Sequence, residues 1–145
     1  MTRDEAIAVA SMLEEASVDA VEFSGGTVIS EAAFHPPRPG VLKGPEHEVY
    51  YLEAAKAYKQ KVAIPLMLVG GIRSYEVAEA LVESEVTDLV SLSRPLIAEP
   101  GLIRRWKKGD LRKADCGSCN SCFGPASQGK GLYCVPRAAR EKGEN

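Results

Sequence analysis

Cysteine is missing from the first 115 residues of this 145-residue chain, histidine occurs only twice and tryptophan once. Whatever the thiols do is therefore confined to the last 30 residues. Excess charge is also lacking: the formal net charge is −2, which gives no reason to expect nucleic acid or an anionic membrane as a partner. No apolar run approaches the ~20 residues of a membrane span. The opening MTRDEAIAV lacks the basic-then-apolar design of a secretory signal, so the expected location is the cytoplasm. What is present is ordinary for a globular protein, with 45% hydrophobic and 26% charged residues and a length that suits one domain.

The chain is organised around IPLMLVGGIRSYEVAEALVESEVTDLVSLSRP, residues 64–95. Leu66 to Val69 form a continuous apolar run, expected of a strand buried on both faces. Gly70 and Gly71 follow at once. Ser74 is placed to cap a helix whose apolar face is Val77, Ala78, Leu81 and Val82. Asp88 to Leu92 reads as a second buried strand, ending in Ser93-Arg94-Pro95. Two strands joined by one helix must run parallel, which sets both special turns side by side at the carboxyl ends of neighbouring strands. Gly-Gly exposes backbone N–H groups without Cβ interference, and Arg94 offers a charged fork suited to phosphate oxygens. In a (β/α)8 barrel the loops after the last two strands are the usual phosphate grip. The plainer reading makes Gly-Gly a tight turn and Arg94 a surface charge.

Elsewhere, Thr2 and Glu5 form a capping box for a helix over about Arg3–Ala16, just after Met1. Val18 to Phe23 reads as the first strand; its Glu22 either points into the barrel mouth, where it needs a cationic or hydrogen-bonding partner, or, the commoner case, reaches water or a neighbouring strand's Lys or Arg. Ser24-Gly25-Gly26-Thr27 is a third turn at the same rim. The Pro-rich stretch from Val28 to Glu46 is expected as a loop over the site mouth, carrying His35, Arg38 and Lys43, for all of which solvent exposure is the commoner role. A helix is expected over Glu46–Gln60, with His47 a surface residue. After Pro100, Leu102, Ile103 and Trp106 mark the apolar face of another helix. Arg104, Arg105, Lys107 and Lys108 form its solvated face, and Gly109 ends it.

Cys116, Cys119, Cys122 and Cys134 follow the pattern C-x2-C-x2-C-x11-C. Four thiols this close argue for metal rather than disulfides. Zinc, an iron–sulfur cubane, and no metal at all remain open on spacing alone.

VDAVEFSGGT, KGPEHEVYYLEAAKA, IPLMLVGGIRS and DLVSLSRPLIAEPGLIRRWKKGD resemble, in the same order, the carboxyl-terminal part of the FMN-dependent old yellow enzyme family. The resemblance is to the branch of NADH:flavin oxidoreductases and bacterial dienoyl-CoA reductases. It implies an α/β fold: the last three βα units of a (β/α)8 TIM barrel over residues 1–113, with a Cys-rich tail over 114–145. It also implies that Gly70, Gly71, Ser93 and Arg94 hold the FMN phosphate, Ser93 standing where the family more often has Gly. The implied activity is reduction of activated alkenes or enoyl thioesters with NAD(P)H. In the dienoyl-CoA reductase branch a similar tail, one residue longer between its second and third cysteines, carries a four-iron (4Fe-4S) cluster. The family's catalytic residues match no position here, so none is assigned. A complete barrel needs about 250 residues. The expectation is thus an oligomer or a complementary barrel half. The alternatives are a truncated or split-barrel fragment without activity, or a small metal-binding module.

Overall fold

The structure is a computed structural model that describes residues 2–26 and 44–143. Its centre is a three-stranded parallel sheet in the order β1 (Val21–Phe23), β2 (Leu66–Val69), β3 (Leu89–Ser91). Helix α1 (Arg3–Glu15) precedes β1, α2 (Leu52–Lys59) precedes β2, and α3 (Tyr75–Glu83) crosses from β2 to β3. The capping box is formed as expected. Glu5 N–H donates to Thr2 Oγ1 at 3.3 Å and Thr2 N–H donates to Glu5 Oε2 at 2.6 Å.

Register decides which side chains share a face. Val21 pairs with Leu66, Phe23 with Leu68, and Leu68 with Val90. This row points at the helices, where Leu66 and Leu68 are fully buried with Ile7, Ala10, Phe23, Ala55, Tyr58 and Leu81. The alternate row, Glu22, Met67 and Leu89 in register with one another, points the other way. The strands are therefore not buried on both faces. Met67 and Val69 are half-buried, and Leu89 is 53% exposed, because no helix among the described residues covers that side. In a closed barrel this row faces the interior. Glu22 lies on that row, and instead of a Lys or Arg it meets a hydrogen-bonding partner, Ser91 Oγ, which donates to its carboxylate at 2.8 Å.

Two carboxylates tie the layers together. Asp88 Oδ2 accepts from Leu66 N–H at 2.7 Å and from Lys59 Nζ at 2.9 Å. These bonds, the backbone N–H first, hold its pKa below the ordinary carboxylate value. Glu14, in the last turn of α1, accepts from the N–H groups of Ala63 and Ile64 at 2.7 and 3.2 Å, just before β2.

The expected 46–60 helix starts late. Pro45–His47 makes one 3-10 turn, Val49 takes φ +60°, and α2 begins only at Leu52. The interruption turns the Glu48 side chain inward, where it is buried. His47 is exposed beside Glu46, as expected of a surface residue.

Beyond β3, α4 (Arg94–Ala98) and α5 (Leu102–Lys107) build a second small core from Leu102, Trp106 and Ala114, with Tyr75 packed edge-on to Trp106. Ile103, placed by periodicity on the apolar face, is 42% exposed. Arg105 is not on a solvated face. It donates to both Glu99 carboxylate oxygens, at 2.5 and 3.0 Å, and to the carbonyls of Asp110 and Arg112. The tail holds two further helices, α6 (Phe123–Ser127) and α7 (Val135–Lys142). No helix among the described residues is long and apolar enough to cross a membrane.

Candidate functional site

The carboxyl ends of β2 and β3 open into one cleft of about 570 Å³. Gly70, Gly71, Ser93 and Arg94 all line it, joined by Ser24, Tyr51, Ser91, Cys116 and Ser118. The two turns thus share one cleft. The long stretch Val28–Glu46 falls mostly outside the described residues, as do Thr27, His35, Arg38 and Lys43.

Gly70 and Gly71 sit at φ +128° and +81°, which side-chain-bearing residues rarely adopt. A Cβ on Gly71 would lie 2.5 Å from the Tyr50 ring, and one on Gly70 would lie 2.9 Å from the Tyr51 ring. The glycines are therefore needed for two reasons: the turn itself, and the close approach of two tyrosines behind it. Tyr50 N–H donates to Gly70 O at 3.0 Å and Tyr51 Oη donates to Gly25 O. The tyrosine pair thus joins the first and second rim turns.

Sequence reasoning assigned the α3 cap to Ser74. The structure gives that work to Glu48, which the reading missed. Its carboxylate accepts from Arg73 N–H at 2.7 Å, Ser74 N–H at 3.0 Å and Ser74 Oγ at 2.7 Å, all buried. The Arg73 guanidinium lies 3.9 Å from the same carboxylate and donates to Cys116 O at 3.0 Å. The amino end of α3 is thus already occupied by an anion.

The four cysteines all line a second cavity, of about 320 Å³, with Arg94, Asp115, Asn120 and Arg140. All four are free thiols. Among the described residues no three His, Cys, Asp or Glu side chains form a group that could hold a single metal ion. A tetrahedral zinc site draws its sulfurs to about 2.3 Å from one centre, and these thiols are not so gathered. Hydrogen bonds from Ser121, with the Arg94 charge a lesser cause, hold the Cys119 thiol below its ordinary pKa. Burial pushes that of Cys122 up.

Three parallel strands alternating with helices, with one cleft at their carboxyl ends, are the arrangement of a segment of a (β/α)-barrel protein. Comparison with known proteins gives the particular family. Residues 2–113 match the NADH:flavin oxidoreductase / NADH oxidase family. A bilirubin reductase of Mediterraneibacter gnavus is 31% identical over 93% of this chain and 21% of its own length. An NADH oxidase of Thermoanaerobacter brockii is 34% identical over 97% of this chain and 21% of its own. Matches this long necessarily run into the cysteine tail. The fold is shared with a 2-naphthoyl-CoA reductase solved with 2-naphthoyl-CoA, at a TM-score of 0.74 and 23% identity over 99% of this chain and 21% of that one. The chain belongs to the NADH:flavin oxidoreductase / NADH oxidase family. It spans about a fifth of the length of the relatives it matches.

Proposed function

We propose that this chain is the FMN-phosphate-binding segment of a cytoplasmic oxidoreductase that reduces activated alkenes or enoyl thioesters with NAD(P)H. One observation carries the reading: Gly70, Gly71, Ser93 and Arg94 come from two successive βα turns and border the same cleft. Membership of a flavin oxidoreductase family, with an NADH oxidase among the relatives, supports FMN and a reduced nicotinamide as the donor.

The cleft fits the group. Its lining includes Gly70 and Gly71, the hydroxyl-bearing Ser93, and two guanidiniums, of which Arg73 already faces the Glu48 carboxylate and Arg94 forms no ion pair among the described residues. FMN, when bound, supplies hydride transfer between nicotinamide and substrate. This chain's own share would be to bind and orient: Arg94, Ser93 and the Gly70-Gly71 backbone would hold the phosphate, and the tyrosine pair keeps that backbone in place. We further propose, from the spacing of the cysteines and the cavity that all four line, that Cys116, Cys119, Cys122 and Cys134 would hold a four-iron cluster. The uncovered sheet face, with Leu89 exposed, supports association with further βα units or a second copy, and those units bring the catalytic residues.

Titration of the chain with FMN, followed by quenching of flavin fluorescence, tests the proposal. Arg94→Ala should weaken binding about 10- to 100-fold, the worth of a charge-assisted hydrogen bond. Equal affinity in the variant would remove Arg94 from the site and the proposal with it.

A further inference from the structure

Arg94 borders both cavities, the rim cleft and the cysteine-lined one. Its Nη1 donates to Asn120 Oδ1 at 2.6 Å. Asn120 lies in the cysteine loop, between Cys119 and Cys122. We propose that Asn120 is a positioning residue, which aims the Arg94 guanidinium at a flavin phosphate and so makes the cysteine loop part of the phosphate site. The inference rests on the FMN reading above.

The chemistry of the partner is the reason. Arg73, Arg105, Arg112 and Arg137 each face a carboxylate within 4 Å, with Glu48, Glu99, Asp110 and Glu141 as partners. A guanidinium paired in that way has much of its charge already neutralised. Arg94 forms no ion pair among the described residues, and the partner that orients it is a neutral amide. An amide oxygen takes one of the five guanidinium N–H donors and leaves the positive charge intact for an incoming dianion. The loop backbone suits this task. Asn120 takes φ +63°, a conformation that Asn tolerates better than most side chains, and Ser118, two residues earlier, takes φ +57° and is buried. Arg73 secures the same loop from the other side through Cys116 O. The loop is thereby held against the β2 turn while its amide meets the β3 turn.

The test compares FMN with riboflavin, which has the same ring system without the phosphate, on the full 145-residue chain. Asn120→Gly removes the amide and suits the left-handed backbone. It should weaken FMN binding roughly 3- to 10-fold, since the guanidinium stays in place but is no longer held in its aim, and leave riboflavin affinity unchanged. In an Arg94→Ala background the same change should have no further effect on FMN, since the amide acts only through the guanidinium. Equal loss of both flavins, no loss of either, or full additivity with Arg94→Ala would overturn the role of Asn120 while leaving the phosphate site standing. If Arg94→Ala alone does not lower the preference for FMN over riboflavin, or the unaltered chain binds no FMN, the phosphate reading fails and this inference with it.

Discussion

Replacing Glu48 with Gln tests the packing logic of the site most severely. The native carboxylate accepts three buried hydrogen bonds, two from backbone N–H groups and one from Ser74 Oγ, and faces the Arg73 guanidinium. Gln keeps one acceptor oxygen and presents an NH2 where the other stood. At least one of those donors then loses its partner inside the protein, and the buried Arg73 charge loses its counter-ion. A hydrogen bond to a charged group contributes about 1.5–3 kcal/mol, and breaking a buried ion pair costs about 3–5 kcal/mol. These overlap, so the expected loss is about 3–5 kcal/mol, a large share of the 5–15 kcal/mol typical of a domain. Urea unfolding followed by far-UV circular dichroism would read it as a lower midpoint at unchanged slope. A loss below about 1 kcal/mol would mean that water or a rearranged Arg73 replaces the carboxylate, and the assignment of Glu48 as the clamp on α3 would be wrong.

Other predictions follow from the same geometry. Gly71→Ala forces a Cβ to 2.5 Å from the Tyr50 ring at a positive φ, and should cost about 2 kcal/mol or more in urea unfolding. A cost near zero would show that Tyr50 moves aside freely. Asp88→Asn at pH 7 should destabilise by about 1 kcal/mol, discounted for partial exposure. The folded pKa of Asp88 is lowered, so its contribution is present above the unfolded value near 3.8 and lost as pH falls through the folded one. The variant and the parent should therefore converge in stability as pH falls below the folded pKa of Asp88, and curves that stay parallel throughout acid titration would contradict the assignment. Chelation or alkylation of the thiols after anaerobic reconstitution with iron and sulfide should abolish any visible absorbance of the tail. Colour that persists when all four cysteines are replaced by Ser would sink the cluster.

Local signals were the readable ones. The Thr2–Glu5 capping box, the β2 run into Gly70-Gly71, and the helix starting after Ser74 each lie within a few residues, where periodicity and turn chemistry operate. Misreadings arose where a partner sits far along the chain. Glu48 looked like one more helix residue because the backbone it clamps lies 25 and 26 positions away. Arg105 looked like part of a solvated basic run because Glu99 and the carbonyls near Arg112 meet it only after the chain folds back. Burial of β2 and β3 on both faces was inferred from apolar composition, which reports hydrophobicity but not whether a neighbour exists to cover it. The Arg94–Asn120 contact had no sequence signal beyond two polar residues 26 apart.

Glu14 has a consequence for how the molecule holds together. It reaches from the end of α1 to the backbone just ahead of β2, while β1 is laddered to β2 along its length. The first 26 residues are thereby fastened to the remainder by contacts, not merely by the covalent thread. A cut between positions 26 and 44 should therefore leave two pieces that copurify.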